Sequence, residues 1–325
     1  MHGMITGVGM YVPEKVLTNK DLEKMVDTSD EWIVQRTGVR ERRIVEDECT
    51  SDLAVEASKE ALEEAGISPE NVDAIIVATI TPDTLMPATA LHVQRKLGVK
   101  KDALAFDINA ACSGFIYALS CADAFISAGM VKNCLVIGAE TLSRFTDWQD
   151  RTTCVLFGDG AGAVVLQATD TDRGILASVL HADGDYADLM VIPGGGAKNP
   201  CSHQALKDRE CFIKMKGQET FKMAVKHLVS VSKEALEKAR MTFDDVDFVV
   251  CHQANLRILQ SFARFARVPQ EKVPVTLDIY GNTSGATIPL TLGFIRKKGL
   301  LKEGNIVLLN SFGASLTWAA SVIRW

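Results

Sequence analysis

The stretch SKEALEEAGISPENVDAIIVA (58–78) returns 174 residues later as SKEALEKARMTFDDVDFVVCH (232–252), and the architecture of the chain follows from that recurrence. Six identical residues open both copies, and Val72-Asp73 recurs as Val246-Asp247. Leu53, Ala57, Ala61, Leu62 and Ala65 keep helical spacing, and Gly66 stands where a C-terminal stop belongs. The apolar runs AIIVA (74–78) and FVVC (248–251) that follow read as strands. A second echo sets AFDINAACSG (105–114) against TLDIYGNTSG (276–285), at an offset of 171. A period this long is no solenoid array. It describes two related halves, each with the same helix–strand–helix–strand succession.

Further strands are expected at CLVIGA (134–139), AVVLQ (163–167) and IVLL (306–309). None alternates polar with apolar residues, so their sheets are covered on both faces. The expected fold class is therefore α/β, a duplicated unit packed in five layers, α/β/α/β/α. Polar TDTDRG (169–174) divides a first half, 1–170, from a second, 171–325, and no Pro/Ser-rich linker separates them. Within the longest uncharged stretch, Ile306 to Ile323 is interrupted by Asn310, Ser311, Gly313, Ser315 and Thr317. It reads as two buried strands broken at a glycine, not as a membrane helix of about 20 apolar residues.

Of 325 residues, 47% are hydrophobic and 23% charged, a composition that excludes a disordered chain. The 35 Lys and Arg against 41 Asp and Glu give a net charge of −6, so neither nucleic acid nor a membrane is expected as a partner. Met1 to Lys20 lacks a basic-then-apolar signal pattern, and the eight cysteines contain no CxxC pair. Reduced thiols in a cytoplasmic protein are the natural expectation.

Cys112 lies between the strand-like AFDI and the apolar segment GFIYALSCADAFISAG. A thiol at a helix N-terminus meets the dipole and unpaired N–H groups, which favour the thiolate nucleophile. The competing reading is an inert buried thiol. His252 ends the strand FVVC, at the carboxyl edge where α/β folds place reactants, although a lone histidine is often structural. Asn282 sits in GNTSG, the repeat partner of AACSG, either as a turn residue or as an amide donor to a developing oxyanion. Pseudo-symmetry would gather these turns at the centre.

Other motifs are weaker. FGDGAGA (157–163) precedes a strand instead of a helix, so a tight strand-to-strand connection is expected in place of a phosphate loop. Cys201, His203 and Cys211 lack zinc-ligand spacing, so no metal is expected. No acidic residue occurs from His252 to Gln270, while Arg257, Arg264 and Arg267 share a helix and Lys214, Lys216, Lys222 and Lys226 lie upstream. That is a local cationic surface on an acidic chain. Trp32, four residues before Arg36, is suited to stack on an adenine nucleotide.

With these residues in hand, the chain resembles the β-ketoacyl-[acyl-carrier-protein] synthase III family of thiolase-like condensing enzymes. The resemblance rests on GVGMYVPEKVLTN, DEWIVQRTGVRERR, AFDINAACSGF, FGDGAGAVVL, HQANLRI, GNTSGATIP and SFGASLTW, which span nearly the whole length. It implies that Cys112 takes an acyl group from a short acyl-CoA such as acetyl-CoA. His252 and Asn282 then hold the malonyl thioester oxygen while malonyl-acyl carrier protein loses CO2 and attacks the acyl-Cys112. Backbone N–H groups of Cys112 and of the Gly313-Ala314 turn would hold the other oxyanion. By the same resemblance Thr28, Trp32, Arg36 and Arg151 contact the CoA nucleotide, and Gly217, Phe221, Ala254 and Asn255 line the pantetheine tunnel. Gln253, Ala254, Asn255, Leu256 and Arg257, with Lys222, form the carrier-protein docking segment, and Met86, Phe157 and Phe312 belong to the acyl pocket. No cofactor is implied, CoA thioester being a substrate, and a homodimer is.

Three positions depart from the family's commonest pattern. Met86 replaces an aromatic that reaches into the partner subunit's acyl pocket, Gln218 replaces an Asn, and the tail reads FGAS in place of three glycines. The alternative is a related specialised condensing enzyme of polyketide or alkylquinolone type with another acyl-CoA primer. A thiolase would need a second reactive cysteine, and none follows Cys251. A papain-like hydrolase shares the Cys, His, Asn order but not a duplicated α/β chain. A non-catalytic carrier-protein binder with the same fold is a third class, separated by acyl transfer to Cys112.

Overall fold

A computed structural model describes every residue except Ala314 and Ser315, and every side chain except also those of Gln218, Glu219, Thr220 and Lys222. In chain order, the elements that build the body begin with β1 (His2–Tyr11), α1 (Asp30–Thr37), α2 (Thr50–Ala65), β2 (Ala74–Ala78) and α3 (Thr89–Leu97). Next come β3 (Leu104–Ile108), α4 (Gly114–Ser127), β4 (Asn133–Thr141) and β5 (Asp159–Thr169). The second half contributes β6 (Gly174–Ala182), α5 (Gly217–Lys238), β7 (Phe248–Cys251), α6 (Leu256–Ala266), α7 (Thr287–Lys297), β8 (Ile306–Gly313) and β9 (Thr317–Arg324).

The first sheet runs β1-β5-β4-β2-β3 and the second β7-β8-β9-β6. Reading the second in reverse gives the same succession, so β6, β9, β8 and β7 are the counterparts of β1, β5, β4 and β2. Both sheets are covered on both faces, and the alternation of side chains along each strand shows by what. On β2, Ile75 and Val77 join Leu53, Ala57 and Val93 of α2 and α3, while Ala74, Ile76 and Ala78 face the opposite way. That second face meets Phe115 and Leu119 of α4, Ile288 and Leu292 of α7, and Val250, Val307 and Leu309 of the other sheet. Beyond the second sheet, Val249 and Leu308 pack on α5 and α6. The order is thus helix, sheet, paired central helices, sheet, helix, and the thiolase-like five layers expected from the repeat are present.

Two expectations change. The glycines of FGDGAGA do not turn the chain between strands; Gly160 and Gly162 lie within β5 itself. A Cβ on Gly162 would come within 2.4 Å of the Leu290 nitrogen, so the missing side chain lets α7 lie on the sheet. The register of the second echo also shifts. Leu104–Ile108 is a strand, whereas its counterpart Leu277–Tyr280 is one helical turn. A helix advances about 1.5 Å per residue against about 3.3 Å for a strand, so more residues are needed to reach the same point. The left-handed residues before the central helices are Ala111 (φ 47°) and Ser284 (φ 48°). They lie 173 apart, not 171. Gly285 is therefore the spatial mate of Cys112, and Asn282 that of Asn109.

Candidate active site

β3 leads into a single 3₁₀ turn, Ala111–Ser113, that feeds α4. Ala111 takes a left-handed conformation that costs a non-glycine residue about 1–3 kcal/mol, and it turns the chain sharply enough to set Cys112 at the helix entrance. Cys112 is 3% exposed. The end of β8 passes close by, since a Cβ on Gly313 would lie 3.1 Å from the Cys112 nitrogen. Thr317 Oγ1 donates to the Ala110 carbonyl (2.9 Å), and Ser113 Oγ donates to the Thr317 carbonyl (3.2 Å). These bonds tie the turn that carries Cys112 to the opposite half.

His252 follows β7, and its backbone N–H donates to the Asn310 carbonyl at 2.8 Å. Its Nδ1 lies 2.7 Å from Thr287 Oγ1, at the first residue of α7. Burial pushes its pKa down to about 3, so the ring is neutral at physiological pH. Asn282 is strapped to the segment before β5: its N–H donates to the Leu156 carbonyl, and the Gly158 N–H donates to its own carbonyl. Asn282 Oδ1 accepts from the Ser284 N–H at 2.8 Å. The side-chain oxygen is thereby occupied, and the amide NH2 is left to donate.

Cys112, His252 and Asn282 line one cavity of about 650 Å³. Cys112 also lines a second, of about 670 Å³, whose walls include Leu142, Phe145, Ile192, Ile213 and the glycines at 194–196. The thiol thus stands where two chambers meet. Trp32, Arg36, Gly217, Phe221, Ala254, Asn255 and Arg257 border the first. The guanidinium of Arg151 sits 5.1 Å from the Trp32 ring centre and that of Arg36 5.8 Å away. Thr28 is not on the cavity wall, although its buried Oγ1 lacks a hydrogen-bond partner. Asn255 Nδ2 donates to the Arg36 carbonyl, linking the start of α6 to α1.

Some expected placements differ. Phe157 borders both chambers, but Phe312 borders only the first and so belongs to the tunnel side. Gln253 is 1% exposed, and its amide bonds the Cys251 and Pro274 carbonyls and the Thr276 N–H. It braces the site from within and offers no docking surface. Leu256 is half-buried and Arg257 exposed. Met86 is 86% exposed and borders neither chamber of its own chain. The Lys222 and Gln218 side chains and the Ala314 half of the expected oxyanion turn lie outside the described residues.

Burial pushes the thiols of Cys121, Cys134, Cys154 and Cys251 upward, which disfavours their thiolates. Cys201 and Cys211, given no place by the sequence, border the second chamber. Glu140 was also missed. It is fully buried at the end of β4 and accepts from Thr81 Oγ1 (2.6 Å) and the Ile80 N–H, with burial raising its pKa to about 7. It also accepts from the N–H of Gly285, the mate of Cys112. An acid closing the apolar run CLVIGA was the available signal.

Comparison with known proteins accords with this geometry. Family profiles for 3-oxoacyl-[acyl-carrier-protein] synthase III match residues 106–184 and, for its C-terminal part, 236–325. The β-ketoacyl-[acyl-carrier-protein] synthase III of Caldanaerobacter subterraneus is 52% identical, with 99% of this chain and 97% of that protein covered. The Aquifex aeolicus 3-oxoacyl-[acyl-carrier-protein] synthase III structure superposes with a TM-score of 0.92 at 48% identity, covering 99% of this chain and 100% of the other. The Thermus thermophilus β-ketoacyl-[acyl-carrier-protein] synthase III gives 0.91 at 46%, covering 99% of each. A thiol at the meeting of two chambers, a neutral imidazole and an oriented amide thus occur in a chain that belongs to the β-ketoacyl-[acyl-carrier-protein] synthase III family.

Proposed function

We propose that the chain joins a short acyl group from acyl-CoA to malonyl-acyl carrier protein by decarboxylative Claisen condensation, the step that starts fatty-acid synthesis. The observation that carries this reading is the position of Cys112 on the wall of both chambers. A thioester at that sulfur can keep its acyl chain in the apolar second chamber while a thiol-bearing arm enters and leaves by the first.

In the first half-reaction the Cys112 sulfur attacks the acyl-CoA carbonyl, the bond to CoA sulfur breaks, and CoA departs with the proton. In the second, the amide of Asn282 and the imidazole of His252 donate to the malonyl thioester oxygen. The bond to the carboxylate breaks, CO2 leaves, and the electron pair forms an enolate that these donors stabilise. Its carbon attacks the acyl-Cys112 carbonyl and expels the cysteine thiolate, which a solvent proton restores. No cofactor is required, since the CoA thioester is itself a substrate.

The remaining partners follow the same logic. Trp32, with the guanidiniums of Arg36 and Arg151 both near its ring, suits a CoA nucleotide. Leu256 and Arg257, with Ala254 and Asn255 behind them, suit an acidic carrier protein. A homodimer is favoured by β3, a sheet edge with Leu104 40% exposed, and by Leu85 and Met86, each 86% exposed. Eight cysteines without a disulfide favour a cytoplasmic setting. Among the described residues no helix is long and apolar enough to cross a membrane.

The test separates the half-reactions. His252→Ala and Asn282→Ala are expected to keep acylation of Cys112 from acetyl-CoA while losing about 10²–10³-fold in CO2 release from malonyl-acyl carrier protein. Cys112→Ser is expected to abolish condensation. Equal loss of both half-reactions in the His252 and Asn282 variants would contradict the assigned roles.

A further inference from the structure

The neutral imidazole of His252 carries one proton, and only the tautomer with that proton on Nε2 can donate into the cavity, because Nδ1 is engaged by Thr287. Thr287 is 2% exposed, and its Oγ1 has two neighbours: His252 Nδ1 at 2.7 Å and the Ser284 carbonyl oxygen at 3.0 Å. A threonine hydroxyl has a single proton, and the carbonyl can only accept. If that proton points to Ser284, Nδ1 must be the N–H donor and Nε2 is bare. If it points to Nδ1, Nε2 holds the hydrogen.

The contact to His252 is the shorter of the two. Hydroxyl donors cluster near 2.7–2.8 Å with a limit of about 3.0 Å, whereas N–H donors cluster near 2.9–3.0 Å with a floor of about 2.7 Å. The contact to His252 falls at the preferred length for a hydroxyl donor and at the floor for an N–H donor. The contact to Ser284 falls at the hydroxyl limit.

We propose that Thr287 is a positioning residue for the condensation: its hydroxyl donates to His252 Nδ1 and thereby holds the ring as the Nε2–H tautomer, a hydrogen-bond donor toward the thioester oxygen. The inference rests on the condensing role given to His252 above. Asn282 is set as a donor by the same device, since the Ser284 N–H occupies its oxygen. Two consecutive features of one turn, the Ser284 backbone and the Thr287 side chain, then orient both donors.

Nitrogen-15 spectra of histidine-labelled full-length protein read the tautomer directly, with the His252 signal identified by its loss in His252→Ala. The expected wild-type spectrum at neutral pH shows the one-bond proton on Nε2, and Thr287→Ser keeps it. Thr287→Val is expected to move proton density toward Nδ1 and to lower malonyl decarboxylation at least tenfold, with Cys112 acylation unchanged and KM for malonyl-acyl carrier protein little altered. A wild-type proton on Nδ1 would overturn the proposal, and so would a Thr287→Val protein that retains the Nε2 proton. Should Thr287→Val fail to fold, the wild-type spectrum and Thr287→Ser still decide. Absence of acyl transfer in the wild type would instead sink the condensing role while leaving the tautomer readout intact.

Discussion

The reactivity proposed for Cys112 rests on its surroundings: a left-handed alanine before it, a helix after it, and a glycine of the opposite half beside its nitrogen. His252 is kept neutral by burial, so decarboxylation by the acylated protein is expected to show no loss from His252 protonation as the pH falls from about 8 to about 5. A rate falling along a curve centred near pH 6.5 in that half-reaction, and absent in His252→Ala, would disagree. Glu140 gives a separate pH signal. Its pKa in the folded chain, about 7, lies above the ordinary 4.5, so the folded state binds the proton more tightly. Its contribution to stability is full below about pH 4.5 and is lost as pH rises through about 7, on the order of 3 kcal/mol. Denaturant unfolding at intervals across that window is expected to show a falling free energy whose slope is shallower in Glu140→Gln. At this scale Cys112 and His252 were legible as candidates because each follows a strand and precedes a helix, and Asn282 because its GNTSG turn echoes AACSG. Thr287 and Glu140 were not, since only folding brings Thr287 to His252 and Glu140 to Gly285.

Among elements, β5 and α7 meet through glycine. Gly162→Ala is expected to destabilise the protein by about 3 kcal/mol, because its Cβ would meet backbone atoms of Pro289 and Leu290 that cannot step aside. Thermal and denaturant unfolding would check it, and an unchanged midpoint would show that α7 shifts freely. Helix α6 carries Arg257 of the proposed docking segment. Arg257→Glu is expected to raise KM for malonyl-acyl carrier protein about tenfold, in a salt-dependent manner, with a smaller effect on acyl-CoA. Equal effects on both substrates would confine Arg257 to the tunnel wall, where it also lies. Most strands and the long helices were legible from apolar runs and helical spacing. The two-residue slip between AFDI and TLDI was hidden, because identical Asp-Ile pairs sit in a strand in one half and in a helical turn in the other.

The whole molecule is one body around a shared central layer. Ile5, Phe115 and Leu166 of the first half share a cluster with Val250, Ile288 and Ile323 of the second. A fragment ending near residue 170 would expose that cluster, so residues 1–170 alone are not expected to fold, and the full chain is expected to unfold in one transition. The repeat made the duplication visible from sequence, yet it could not show that α4 and α7 lie side by side between the sheets. That placement brings the elbow of Cys112 against the turn of Asn282 and creates the two chambers. The central claim is that Cys112, at their junction, carries the acyl group. Intact-mass and peptide analysis after incubation with acetyl-CoA tests it most directly. One acetyl group on Cys112, absent in Cys112→Ala and discharged by malonyl-acyl carrier protein, is the predicted result; no adduct in the wild type, or one that persists in Cys112→Ala, would contradict it.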